Sequence, residues 1–127
     1  MSSPMNQPVQ RGGVAVSKRL LATGVLRQPL SITPVATNRV VDGSPSDGAL
    51  PLTELGGLGI GVWEMSPGVA TDTEVDEVFI VLSGRGEVCF DDGEVVELRP
   101  GVVVRLRAGE HTVWTVSESL RKVYIAG

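Results

Sequence analysis

From Leu58 onward, apolar and polar positions alternate in short runs: LGIGVWEM, EVFIVL, GEVCF, EVVEL, VVVRL, HTVWTV and LRKVYIA. The breaks between them read SPG, SGRG, DDG, RPG, RAGE and SES. Runs of this length, rich in β-branched and aromatic residues and bounded by turn formers, predict seven strands. No intervening stretch has a period of 3.6, so the pattern predicts an all-β sandwich or barrel. Asp91-Asp92-Gly93 predicts a tight hairpin with its glycine at positive φ. Upstream the pattern fades. Residues 1–28 are polar and turn-rich, and predict an irregular N-terminal arm with one helical turn at Val16 to Leu21. Ile32 to Val41 predicts a strand, with Pro34 at a sheet edge or strand start. The Gly-, Pro-, Ser- and Asp-rich segment 42–51 predicts a loop. The expected organisation is an arm, 1–28, followed by one β-domain, 29–127, as suits a chain of 127 residues.

The stretch TDTEVDEVFIVLSG, residues 71–84, places Glu74, Asp76 and Glu77 directly before the apolar run Val78 to Leu82. Strand alternation puts Glu77, Phe79 and Val81 on one face and Val78, Ile80 and Leu82 on the other. Both faces are apolar beyond Glu77, so both need cover. The barrel interior covers one, and the arm or a second subunit covers the other, with a homodimer the expected partner. Glu74 and Asp76 are expected to form a solvated acidic edge. Glu77 is expected inside, where a carboxylate requires a cation, a metal or a proton.

Composition narrows the classes. A net charge of −4 argues against nucleic acid or an anionic membrane as partner. No apolar run approaches the roughly 18 residues of a membrane span. The stretch KRLLATGVL is too broken for a secretory signal, and a cytoplasmic location is the expectation. Cys89 is the only cysteine, which excludes an intrachain disulfide and a thiol-rich zinc site and leaves a packing residue. There is no nucleophile elbow and no zinc spacing, and GGLGIG lacks the strand-then-helix context of a dinucleotide loop.

Taken in order, GVWEMSPG, DEVFIVLSGRGEV, DDGEVVELRPGVVVRLRAG and TVWTVSESLRKVYI resemble a small single-domain cupin, within the branch named after the cupin domains of ureidoglycine aminohydrolase. The resemblance spans residues 32 to 126 and implies a jelly-roll β-barrel with an interior ligand site. It also implies a metal held by two histidines one residue apart, a glutamate and a third histidine. Glu77 and Gly84 match that pattern. The histidine positions fall on Thr71 and Thr73, with a one-residue uncertainty, and on Thr112. Threonine hydroxyls are poor ligands for the metals that imidazole suits, so no metal site is assigned and a divalent transition metal is left as an alternative. His111, the only histidine, could supply a ligand only through a bulge after Gly109.

Trp63 and Trp114 are candidate pocket walls, and Trp114 shares the parity of Thr112. Lys122 and Tyr124 share a face and match the family's R-K-x-Y stretch. Lys122 is placed to pair with Glu77 or Glu118, or to hold an anionic ligand. Arg105 and Arg107 are read as solvated charge. The ligand-binding candidates are therefore Trp63, Thr71, Thr73, Glu77, Thr112, Trp114, Lys122 and Tyr124, and the catalytic candidates are Glu77 and His111. Three functions follow. The first is a cupin that binds a small polar metabolite without a tightly bound metal. The second is a metal-dependent or acid–base enzyme acting on a small nitrogenous or carbonyl compound. The third is a dimeric module with a filled barrel.

Overall fold

The computed structural model describes residues 17–127. Those residues form nine strands and one short 3-10 turn, with no α-helix among them. In chain order the strands are β1 (Thr33–Pro34), β2 (Val40–Asp42), β3 (Ser46–Leu55), β4 (Leu58–Met65) and β5 (Gly68–Thr73), then β6 (Glu77–Phe90), β7 (Val95–Leu98), β8 (Val103–Leu106) and β9 (His111–Ala126). They join in one curled, antiparallel sheet with the order β1-β3-β4-β9-β5-β2, and β6 lies along β9 and carries β7 and β8. The all-β barrel class expected from the alternation is the observed one.

Two strands organise the molecule. The segments EVFIVL and GEVCF are not separate strands: β6 runs through SGRG for 14 residues, with register shifts between Val81 and Gly86. Gly84 makes this possible, because its φ is +95° and a Cβ there would drive into the Ser119 carbonyl oxygen. HTVWTV and LRKVYIA likewise join as the 16-residue β9. The first half of β9 pairs with β5 and its second half with β4, while β6 runs along both.

The remaining departures lie upstream. The expected strand Ile32 to Val41 breaks into β1, a 3-10 turn at Thr37–Arg39 and β2, as the polar Thr-Asn-Arg sequence favours. The expected loop 42–51 is largely strand: β3 pairs residue by residue with the strongly patterned β4, and a register shift beside Pro51 accommodates its missing N–H. β5, GVATDT, carries too little apolar alternation to stand out. Of the helical turn expected at Val16 to Leu21, residues 17–21 are non-helical and Val16 lies outside the described residues.

Phe79, Val81, Val88, Leu98, Val104, Leu106, Trp114, Val116 and Leu120 form the core. On the outer side, the segment before β1 touches the sheet at two points. The Arg121 guanidinium donates to the Val25 carbonyl at 2.8 Å and to Glu64 at 2.6 Å, and Gly48 lacks the Cβ that would strike the Ser31 carbonyl. The stripe on β6 and β8 stays open: Ile80 and its cross-strand neighbour Val103 are exposed.

Candidate functional site

Strand pairing places one row of side chains on the concave face. Lys122 of β9 stands opposite Trp63 of β4 and Val81 of β6, and Trp114 stands opposite Ala70 and Val88. Thr112 stands opposite Asp72 and Phe90. The row lines a cavity of about 340 Å³, walled by Ala49, Trp63, Met65, Ala70, Trp114 and Tyr124, with Glu74, Glu77 and Lys122 among its polar groups and Arg39 and Asp72 beside them. Aromatic and aliphatic walls with a few converging polar groups are what a small-molecule site needs.

The Lys122 ammonium is its central charge. The residue is 5% exposed, and Nζ donates to Glu77 Oε2 at 2.6 Å. It also lies 4.3 Å from the Phe79 ring centroid, 4.7 Å from that of Trp63 and 4.8 Å from that of Trp114. These rings present their negative faces to the cation and partly replace the water it has lost. An ammonium has three N–H donors, and one is used in a hydrogen bond among the described residues. Tyr124 lies across from Gly61, where any Cβ would clash with the phenol oxygen. Burial, and then the Glu77 charge, push the Tyr124 phenol up from its usual range.

The three acids before β6 do three different things. Asp76 behaves as expected of the edge: its Oδ1 accepts from the Ala108 backbone N–H at 3.1 Å and from Arg105 at 3.2 Å, and these bonds hold its carboxyl below the usual range. Glu77 faces inward. Glu74, expected at the solvated edge, is instead buried at 7% exposure. Its backbone is tied to the turn before β9 through Glu110 and Gly109, which carries the side chain into the cavity. Glu74 Oε2 accepts from Thr112 Oγ1 at 2.6 Å and from Trp114 Nε1 at 3.0 Å. Burial raises the Glu74 carboxyl, the Thr112 and Trp114 bonds oppose that rise, Asp72 adds to it and Lys122 again opposes it.

Thr71 and Thr73 sit on the other face of β5. The Thr71 hydroxyl donates to the Arg39 carbonyl, and Thr73 Oγ1 pairs with His111 Nδ1 at 3.2 Å. The inward residues on this stretch are Ala70, Asp72 and Glu74, the last two one position after the threonines. His111 is exposed and takes the outer parity next to inward Thr112, so it does not meet Glu77. The site therefore gathers Trp63, Thr73, Glu77, Trp114, Lys122 and Tyr124 in its lining, with Thr112 bonded to Glu74, adds Glu74, Asp72, Met65 and Arg39, and leaves Thr71 and His111 outside.

The sequence of residues 52–124, more than half of the chain, matches the EutQ-like cupin domain. The chain belongs to that cupin family. Among solved structures, a Rhizobium leguminosarum bv. viciae protein of unknown function is 32% identical, with a TM-score of 0.57 over 63% of this chain and 79% of that one. The Clostridium difficile EutQ protein is 21% identical, with a TM-score of 0.60 over 76% of this chain and 79% of its own. A Pseudomonas syringae pv. tomato protein of unknown function reaches a TM-score of 0.70 at 21% identity, over 80% of this chain and 46% of that one. The latter two likenesses bear on the fold alone, and they agree with a jelly-roll barrel. No curated protein matches. No helix of the described residues is long and apolar enough to cross a membrane.

A cupin barrel commonly implies a metal, and the side chains here do not fit one. No three His, Cys, Asp or Glu side chains converge among the described residues. Glu77 is engaged by an ammonium, Glu74 Oε2 by two donors, and the imidazole lies outside. A divalent site needs several free oxygen or nitrogen ligands at one point.

Proposed function

We propose that this cupin binds a compact molecule with an apolar body and an acceptor oxygen, most simply a small carboxylate, through Lys122 and without a metal. The observation that carries this reading is the nearly buried Lys122 ammonium at the cavity wall, which among the described residues keeps N–H donors unused beside Glu77 and among three aromatic rings. Glu77 holds the ammonium in place, and the remaining N–H donors can serve a ligand oxygen. Trp63 and Trp114, 5.5 Å apart, supply the apolar walls. The enzymatic reading drawn from the narrower ureidoglycine aminohydrolase resemblance relied on Glu77 with His111 or on a metal, and the geometry favours neither pairing. Trp63 and Trp114 are the only tryptophans, so intrinsic fluorescence reports on the cavity alone. Titration with small carboxylates, benzoate among them, should change that fluorescence, and Lys122→Met should weaken binding at least about tenfold, the loss of one charged hydrogen bond. Unchanged fluorescence with every carboxylate, or equal binding by the variant, refutes the reading.

The open stripe on β6 and β8 supports a second proposal, that two copies pair through Ile80 and Val103, flanked by Val78, Val123 and Ile125. Sedimentation should give a dimer that Val103→Lys dissociates, and a monomeric wild-type chain at micromolar concentration sinks it.

A further inference from the structure

The two oxygens of Glu74 are treated differently. Oε2 accepts from the Thr112 hydroxyl and from the Trp114 indole N–H, a group that can only donate. Among the described residues nothing donates to Oε1, although the side chain lines the cavity and is 7% exposed. A buried oxygen left without a partner is costly when it carries charge and cheap when it carries a proton. The charged groups around it do not supply that charge balance. Asp72 of β5 repels an ionised Glu74, and Lys122 of β9 attracts it but is bonded to Glu77 of β6. Arg39 stands at the cavity wall 4.0 Å from Asp72, and His111 lies on the outer face with Thr73. Glu110, in the turn before β9, meets Glu74 through its backbone carbonyl and turns its carboxylate to the Arg107 N–H.

We infer that Glu74 recognises the ligand as a carboxylic acid, donating the proton on Oε1 to an acceptor oxygen of the bound anion, so that binding takes up a proton. This deepens the reading above and rests on it. No covalent step is involved. The proton comes from solvent onto the ionised fraction of Glu74, and the anion then meets two donors of the cavity lining, Glu74 O–H and Lys122 N–H. Two such donors select a carboxylate over an amine or a simple hydrocarbon. They also make affinity depend on pH in one direction. Binding is strongest where Glu74 is already protonated and weakens as pH rises through its titration, by roughly tenfold per pH unit. The upward displacement of this carboxyl by burial moves that fall toward neutral pH.

The test titrates benzoate into the full chain by tryptophan fluorescence from about pH 5, where benzoate is ionised, to about pH 8. The expected result is a dissociation constant that climbs approaching tenfold per unit above the Glu74 titration. Calorimetry in two buffers of different ionisation heat should show proton uptake, reaching close to one proton per benzoate at the alkaline end. Glu74→Gln keeps a donor but cannot ionise, so its affinity should change less than about twofold across the range. Wild-type binding that is flat with pH and takes up no proton overturns this inference and leaves Lys122-based binding standing. A slope that persists in Glu74→Gln assigns the proton to another group and also overturns it. No fluorescence change with benzoate or any other small carboxylate at any pH refutes the carboxylate site itself and this inference with it. The calorimetric proton count is read on the wild-type chain, so a null count overturns the inference even if the variant fails to fold.

Discussion

Lys122→Met is the perturbation that most directly probes how this barrel is held together. Methionine nearly matches the length of the lysine stem, so the aliphatic packing is largely retained. What disappears is the ammonium, with its 2.6 Å bond to Glu77 and its place among three rings at 4.3, 4.7 and 4.8 Å. The two side chains of the pair are only 6% and 10% exposed, so water cannot readily replace the lost partner. Removing one member of such a buried pair costs about 3–5 kcal/mol, mostly because the surviving charge is stranded. The cation–π contacts are geometrically linked to the same ammonium and do not add as separate terms. Most of the cost therefore belongs to Glu77, and neutralising it should return stability. In urea unfolding at neutral pH, Lys122→Met is expected to lose about 3–5 kcal/mol, and the double variant Lys122→Met/Glu77→Gln to recover at least about half of that. A loss below about 1 kcal/mol with no coupling between the two sites would mean that the pair is hydrated and behaves like a surface ion pair. The cavity would then not be the low-dielectric site described above.

Glu74→Gln should change the pH dependence of stability. The carboxyl is raised in the folded chain above its reference value of 4.5, so its stabilising contribution is complete below that value and lost as pH rises through the raised one. Urea midpoints should therefore favour the variant over wild type more at about pH 8 than at about pH 4, and an identical difference at both refutes the burial. Gly84→Ala and Gly93→Ala share a positive φ, +95° and +93°, but only the first drives a Cβ into backbone, at Ser119 and Leu120. Gly93→Ala should cost about 1 kcal/mol and Gly84→Ala clearly more, and equal losses in melting experiments would show that β6 and β9 do not cross closely there. His111→Gln should leave stability within about 0.5 kcal/mol and benzoate affinity unchanged, since its ring is exposed and bonds Thr73. A tenfold loss of affinity would bring the imidazole into the site.

The barrel class was legible because β7, β8 and β9 each bury one alternating set of apolar residues and β6 does so in two pieces, Phe79 with Val81 and then Val88, and alternation survives in sequence whatever the partner strand. The same parity brings Glu77 and Lys122 onto one face, and it separates Thr112 from His111. What parity could not reveal was a strand whose inward residues are Ala70, Asp72 and Glu74 and whose β-branched residues, Val69, Thr71 and Thr73, face outward. That reversal hides β5 from any rule that seeks apolar residues inside, and it shifts the ligand positions implied by the family resemblance by one residue. β3 was hidden differently. Its Asp47, Gly48 and Pro51 argue for a loop, and only pairing with β4 overrides them. The burial of Glu74 depends on contacts across 38 and 40 residues of chain, to Thr112 and Trp114, which no local pattern encodes.

Those long-range contacts also explain why carboxylates stand at the mouth of a buried strand. The corner 74–77 is stitched to the turn 107–110 by backbone bonds from Glu74 and by the Asp76 carboxylate, so each successive acid is aimed differently. Asp76 fastens the corner, Glu77 is neutralised by an ammonium, and Glu74 is held by two neutral donors. Here the compensation is divided among a lysine, a turn and a proton, and the division has a functional consequence. A metal's charge does not vary with pH, whereas the proton proposed on Glu74 does, so on that proposal the affinity for an anion becomes a function of acidity. Replacing Glu74 by histidine alone would not create a metal site, because Lys122 would still occupy the cavity with its charge, and a divalent ion placed beside it would be repelled. Metal binding should appear only when Lys122 is neutralised together with the introduction of imidazoles at positions 72, 74 and 112.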